Sequence, residues 1–417
     1  MLFASVTTVA QTSMRMTLDS CLRYAHEHNL QVQTALLNRE SSEVSLSGAK
    51  MSFLPSVSAS ASHGWNWDGQ TTQNTQYGIN GSLTLFNGLS NLRNLQLSRL
   101  SSDQSALKVQ QTENSVDIQI IQAYLTVLMN QEKLSYQQEV IETSRQQHLE
   151  GEVKYTVGRI LESDYLLLGA NYTSAQAELD NTRLTIEDNL MVLSSLLCLD
   201  ARTMIEVVPS SDTLRAADRT LPLHDSVLAQ AQRSMPDWQI SEMDVDLARL
   251  NLRLSESSFM PSLSLNAGYG GQWMPATTGT AGTTFSDNTS LTLGLNIPLF
   301  DRGSSVTQYK QSKIALQQAE LQHQQTLIDL EDQLDELYLN TLQALNRYRA
   351  SEALSEAYRA SYEVYVLKYA EGAVTTVEML QQQDKYLSAL NEYLQNKYNY
   401  LLAEKQLDIY TGKEIRL

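Results

Sequence analysis

The stretch "HEHNL" (residues 26–30) is where this chain comes nearest to a metal-hydrolase motif. HExxH sets two imidazoles one helical turn apart around a zinc ion, with a glutamate between them as base. Here position 30 is Leu, so the second ligand is missing. His26 and His28 are only two residues apart, a poor spacing for one helix face, and read as solvated side chains. "NAGYGG" (266–271) resembles a phosphate loop only in its glycines, which alternate along a strand pattern instead of opening a helix. Cys21 and Cys198 lie far apart inside apolar-periodic stretches, with no CxxC or metal spacing. No nucleophile–base pair, metal set or cofactor fingerprint emerges, so the chain reads as a non-enzyme without metal or cofactor.

Composition narrows the classes that remain. The 417 residues are long enough for two or three ordinary domains, yet only 7% are aromatic and only 7 are proline. Scarce proline permits very long uninterrupted helices. The formal charge of −17 argues against nucleic acid and against a polybasic membrane anchor. "MLFASVTTVAQTS" resembles the end of a secretory signal, without a basic region, so residues 1–15 read as a truncated signal remnant and the protein as exported. "LDSC" (18–21) faintly resembles a lipoprotein cleavage site, but Asp19 is wrong there and the stretch continues as helix. No run approaches the ~18 apolar residues of a membrane-spanning helix, so any membrane segment must be made of strands.

The chain is written twice. "FLPSVSASA" (53–61) returns as "FMPSLSLNA" (259–267), pairing Pro55 with Pro261 at an offset of 206. "LTLFNGLS" (83–90) returns as "IPLFDRGSS" (297–305), and Phe86–Phe300, Tyr124–Tyr338 and Gly158–Gly372 are all offset by 214. The difference falls in the polar loops "DGQTTQNT" (68–75) and "MPATTGTAGTTFSDN" (274–288). The expected units are a first repeat over 16–199, a linker over 200–222, a second repeat over 223–405 and a C-terminal segment over 406–417. Each repeat holds two strands (55–67 and 76–86; 261–273 and 289–300) and two long helices (88–157 and 159–199; 303–371 and 374–405).

The strands alternate apolar residues with small polar ones, as in Ile79, Gly81, Leu83, Leu85 against Gly78, Asn80, Ser82, Thr84. Trp65, Trp67 and Trp273, with Tyr77 and Tyr269, gather at the loop ends, and Phe86 and Phe300 mark the opposite ends. Such strands match the wall of a transmembrane β-barrel around a water-filled lumen better than a soluble sandwich. Four strands cannot close, and open edges are not tolerated in lipid. Two copies would give eight strands, whose interior side chains normally fill, which serines and glycines cannot do. Three copies give twelve strands and an open pore, so a homotrimer is expected.

The helices carry narrow three-four apolar stripes: Ile118, Ile121, Leu125, Leu128 beside Ile120, Tyr124, Val127, Leu134, and Leu327, Leu330, Leu334, Leu337 in the second half. Two adjacent coiled-coil stripes on one helix require two flanking partners, as in a closed palisade. The helix pairs turn at "KYTVGRI" and "KYAEGAV", where Gly158 and Gly372 suit a left-handed helix end. Residues 200–222 and the C-terminal "LDIYTGKEIRL" are expected to belt the helices from outside.

This layout, with the "LPS" and "MPS" strand starts, "LFNG" and "LFDRG", and the tips "YTVGRILESDYL" and "YAEGAVTTVEML", resembles the TolC-like outer-membrane efflux protein family. The resemblance implies a mainly α fold with a membrane β-barrel part: a homotrimeric 12-strand β-barrel in the bacterial outer membrane, continued by a 12-helix α-barrel across the periplasm. It also implies a periplasmic adaptor and an inner-membrane pump as partners. The function it implies is a passive exit duct of a tripartite efflux or type I secretion system, gated at its helical tips. By position, Ser163 and Asp164 match one side of the family's closing hydrogen bonds and Tyr369 the other; Glu378 matches an aperture carboxylate. Gln381 stands where a second carboxylate ring would be, and Val374 replaces an arginine latch. Without the resemblance, Thr375-x-x-Glu378 is a capping box and Asp164 a first-turn acid suited to the helix dipole. Two rival functions stand beside the duct: a non-conducting tether that spans the periplasm as a coiled coil, and a general diffusion porin, which has no use for such helices.

Overall fold

In a computed structural model, the structure describes residues 13–68, 70–200, 203–208, 221, 223–275 and 283–413. The element order is β1 (Ser13–Met16), α1 (Leu18–His28), α2 (Leu30–Met51), β2 (Ser56–Asp68), β3 (Gln70–Asn87), α3 (Ser90–Thr156) and α4 (Glu162–Leu196). The second half continues with β4 (Met204–Val207), α5 (His224–Ser234), α6 (Pro236–Glu256), β5 (Ser262–Pro275), β6 (Thr283–Asn296), α7 (Ser304–Ala370) and α8 (Thr376–Tyr410). The duplication holds to the residue in the helices. Adding 206 carries α1 onto α5 and the start of α2 onto that of α6, and adding 214 carries α3 onto α7 and α4 onto α8. α3 and α7 each run 67 residues without a break, ~100 Å at 1.5 Å per residue.

The compact units do not coincide with the repeats, because each unit draws on both halves. One contains residues 36–108 and 237–327, and its centre is a four-stranded antiparallel sheet in the order β2-β3-β5-β6. The outer edges of β2 and β6 have no partner strand among the described residues. Register sorts the faces: Val57, Gly81, Ala267 and Leu291 form one row, and Ser58, Asn80, Gly268 and Ser290 the row beside it on the opposite face. The strand bounds differ from those expected. β3 begins at Gln70 and β6 at Thr283, because the Thr/Asn/Gln runs that resemble loops pair backbone to backbone. β6 stops at Asn296 instead of residue 300, just ahead of Pro298, which has no N–H to donate. A bulge between Thr84 and Phe86 places Phe86, not Leu85, opposite Leu263 on the apolar face.

The other unit contains residues up to Ala35 together with 109–236 and 328–417. Its core joins Ile120, Ile121, Tyr124, Leu125, Val127 and Leu128 of α3 to Leu193 and Leu197, to Tyr400 and Leu401, and to Cys21, Leu22 and Ala25 of α1. The two adjacent stripes of α3 are therefore both covered. Ser13–Met16, of which residues 13–15 fall within the expected signal remnant, form β1, which pairs in parallel with β4; Arg15 donates to both carboxylate oxygens of Glu206 at 3.0 and 3.1 Å. Tyr124 Oη donates to the Val208 carbonyl at 2.7 Å, tying that strand's end to α3. Cys21 lies wholly buried within α1, and burial alone pushes its thiol up to about 12. Residues 1–12, most of the linker 200–222, the loop 276–282 and residues 414–417 lie outside the described residues. α8 runs on to Tyr410 instead of ending at 405, since Leu407 and Ile409 are buried, and it stops at Gly412 with φ +68°. Among the described residues no helix is long and apolar enough to cross a membrane.

Candidate functional site

Both helix tips are built the same way. At the first, Gly158 adopts φ +73°, its N–H meets the Tyr155 carbonyl at 2.9 Å, and the Arg159 N–H reaches the Lys154 carbonyl at 2.8 Å. At the second, Gly372 adopts φ +75°, with matching bonds to Tyr369 at 3.1 Å and from Ala373 to Lys368 at 2.8 Å. This is the paired closure of a helix that ends on a left-handed residue, which glycine allows without a Cβ penalty. The return helices then start later than the sequence suggests, at Glu162 and Thr376 instead of 159 and 374, because each closure is followed by an extended cap residue, Leu161 or Thr375.

The caps differ in kind. Thr375 Oγ1 accepts the Glu378 N–H at 3.3 Å, and Glu378 Oε2 accepts the Thr375 N–H at 2.8 Å and its hydroxyl at 2.9 Å. The backbone bond first, then the hydroxyl, holds the Glu378 carboxyl below its usual range. Leu161 has no side chain to cap with, so Asp164, at the position equivalent to Glu378, has no reciprocal cap bond. Asp164 is half-buried, while Ser163, Glu378 and Gln381 are exposed. Tyr369 is only 7% exposed; it packs with Leu168, Met379 and Leu380, with Val374 on the margin, and Lys154 Nζ sits 4.3 Å above its ring. Its hydroxyl is buried without a hydrogen-bond partner. The structure thus brings Tyr369 into one cluster with the α4 and α8 helix starts, and within the chain it makes no hydrogen bond from Tyr369 to Ser163 or Asp164.

Sequence reasoning missed the supports of this cluster. Gly151 lets α3 approach α4, since a Cβ there would lie 2.5 Å from Leu168 Cδ1. An aromatic column runs Tyr155–Tyr165–His148–Tyr172, with ring centres 5.5, 5.1 and 6.2 Å apart. The recurrence of Tyr155 at Tyr369 was the available signal; which copy is covered depends on packing.

In the sheet unit, the aromatic residues of the β2–β3 and β5–β6 ends share the apolar face. Tyr77, Trp273 and Phe285 form a cluster with ring centres 5.4, 4.9 and 6.2 Å apart, seated over Gly271, where a Cβ would collide with both Phe285 and Tyr77. Trp65 packs edge-on against His63 at 4.4 Å, and Trp67 is exposed. Phe285 was not singled out from sequence. At the opposite end Phe86 lies inside β3, whereas Phe300 lies beyond β6 and is 86% exposed, so the two are not equivalent strand ends.

The histidines serve the fold. His26 Nε2 meets Asp117 Oδ1 at 2.7 Å, chiefly through that hydrogen bond its pKa is raised, and no cluster able to hold a metal occurs among the described residues.

The profile of the outer membrane efflux protein family matches the chain twice, over residues 22–198 and 227–413. The outer membrane protein TolC of Vibrio cholerae is 22% identical over 97% of this chain and 92% of its own length. The outer membrane efflux protein BepC of Brucella suis is 21% identical over 99% and 89%. Among solved structures, the outer membrane protein VceC of Vibrio cholerae superposes with a TM-score of 0.76 at 13% identity, over 96% of this chain and 97% of that one.

Proposed function

The chain belongs to the outer membrane efflux protein family, and on that premise we propose that it is the exit duct of a tripartite exporter, a homotrimeric channel gated at its periplasmic helix tips. It is an outer-membrane protein and not an enzyme. The observation that carries the channel reading is the sheet: four strands, one face apolar and the other of Ser, Asn, Gly and Thr, with both outer edges unpaired among the described residues. Unpaired edges cannot face hydrocarbon, so three copies close them into twelve strands whose polar faces line a water-filled lumen. Tyr77, Trp273 and Phe285, with Trp65 and Trp67, then form the aromatic belt at one membrane boundary, and Phe86 and Phe300 stand near the other.

The gate is Tyr369 with Ser163 and Asp164, whose polar atoms have no hydrogen-bond partner on each other within the chain and serve links that form when neighbouring copies converge. Glu378, one oxygen of which caps α8, turns its carboxylate to the aperture in each copy, and three such charges favour cations over anions. Gln381 adds no second ring and Val374 no latch, so the closed state rests on few links. The partners on this reading are a periplasmic adaptor and an inner-membrane pump, which supplies the energy and the choice of substrate.

Planar-bilayer conductance of the purified protein, beside Asp164→Ala and Tyr369→Phe, tests the proposal. Small cation-selective currents that grow in either variant support a closed-tip duct. Large currents in all three proteins would point to an open porin, and silence with a monomeric detergent complex would leave the periplasmic tether.

A further inference from the structure

The two repeats place a lysine at the same point in the last turn of their long helices, Lys154 on α3 and Lys368 on α7. Their surroundings differ. Lys368 is exposed and lies over Tyr365 of its own helix, with Nζ 5.5 Å from the ring centre. In the first repeat the residue equivalent to Tyr365 is Gly151, so α3 offers Lys154 no ring at that position. Lys154 is half-buried instead, and its Nζ sits 4.3 Å from the ring centre of Tyr369, on α7. A Cβ at Gly151 would lie 2.5 Å from Leu168 Cδ1, so the glycine that withholds a ring also lets Leu168 join the cluster around Tyr369.

A cation at this distance over an aromatic face is attracted to it, and burial strengthens the attraction by removing competing water. Tyr369 is 7% exposed and its hydroxyl has no hydrogen-bond partner. Among the described residues Lys154 makes no ion pair. The ring face and the ammonium are each other's polar partner.

We propose that Lys154 is an in-chain latch of the tip: its ammonium on the Tyr369 ring ties the α3–α4 pair to the α7–α8 pair and holds the tip shut. This rests on the gated-duct reading and adds to it a residue and a kind of bond. The cation missing at Val374, which borders the same cluster, is supplied from α3. Tyr369 then has two separable functions, a face that holds Lys154 within the chain and a hydroxyl left for a neighbouring copy. The Lys154 carbonyl accepts the Arg159 N–H at 2.8 Å, so the glycine turn fixes its backbone and only the side chain must leave the ring for α7 to move.

The test is planar-bilayer conductance of the full chain, with thermal unfolding of each variant as a check on the fold. Lys154→Met keeps the stem and removes the charge, and is expected to raise the mean current roughly five- to thirtyfold, the range spanned by a partly buried contact of this kind. Lys154→Arg, still able to stack on the ring, is expected to stay within roughly twofold of wild type. Lys368→Met is expected to leave the current unchanged, since that lysine covers its own helix. The bond itself is read from double variants. Lys154→Met is expected to act in full beside Tyr369→Phe, which keeps the ring, and to add nothing beside Tyr369→Leu, which removes it. An increase that persists beside Tyr369→Leu, or that Lys368→Met matches, is an effect of charge on the permeating ions and overturns the latch. An unchanged current in Lys154→Met overturns it as well, while leaving the duct in place. Large currents already in wild type, or silence from a monomer, overturn the latch together with the closed-tip reading it rests on.

Discussion

Asp164 and Glu378 occupy the same place in the two repeats, the third residue of a tip helix, yet only Glu378 is tied to its own helix cap. The cause is a single difference upstream: Thr375 supplies an acceptor and a hydroxyl, and Leu161 supplies neither. One tip carboxylate is therefore structural as well as charged, and the other is free for a partner beyond the chain.

Asp164→Asn is accordingly expected to raise single-channel conductance while leaving the hydrogen-exchange protection of the α4 start unchanged. Glu378→Gln should instead lower cation selectivity and weaken divalent block, and should speed exchange at the Thr375 amide by loosening the cap. Unaltered selectivity and block in Glu378→Gln would remove it from the aperture.

Two glycines with similar dihedrals should respond differently to alanine. Gly88 (φ +65°) faces Met260 Cβ and the Ser257 carbonyl, both 2.7 Å from where a Cβ would sit, whereas Gly158 (φ +73°) has nothing within 4 Å. Gly158→Ala pays only the left-handed strain, roughly 1–2 kcal/mol. Gly88→Ala adds a backbone clash, bringing the expected loss to about 3 kcal/mol or more. Thermal unfolding of the two variants side by side checks the order.

His26 and Asp117 give stability a pH dependence. The hydrogen bond to Asp117, aided by the charges of Asp117 and Glu113, raises the His26 pKa against the lowering effect of its partial burial. A folded pKa above the unfolded value means the stabilisation is complete below about pH 6.5 and fades as pH rises through the raised value. Melting curves should show wild type losing its advantage over His26→Gln as pH rises above about 6.5. Equal pH profiles for the two proteins would remove His26 from this role.

Lys397, only 8% exposed, holds both Glu132 carboxylate oxygens at 2.8 Å, and Tyr398 Oη donates to the same carboxylate at 2.8 Å. Lys397→Met keeps the stem's packing but removes the charge, and a cost of roughly 1–3 kcal/mol is expected in chemical denaturation. The double variant Lys397→Met with Glu132→Gln should recover part of it.

The helices were legible because their signals are local and written twice. The proline-free stretches, the apolar stripes at Ile120, Ile121 and Tyr124, and the glycines at 158 and 372 state the elements without reference to anything distant. The sheet ends were harder to read. Gln70 to Thr75 and Thr283 to Asn288 look like loops in composition, and they become strand only because a neighbouring strand supplies backbone partners. The bulge before Phe86 and the burial of Tyr369 but not Tyr155 are set by packing between segments far apart in sequence, so no local pattern carries them. Tip residues could be named by position, but whether Asp164 is capped depended on reading Leu161 as the cap residue, which the helix pattern alone placed too early.

The pairing of β1 with β4 bears on the timing of folding. Arg15 meets Glu206 across a separation of 191 residues, and every segment of the first repeat lies between them. The first strand therefore gains its partner only when the chain on both sides of that repeat is present, and a chain interrupted anywhere before Met204 would leave Ser13–Met16 without its strand partner.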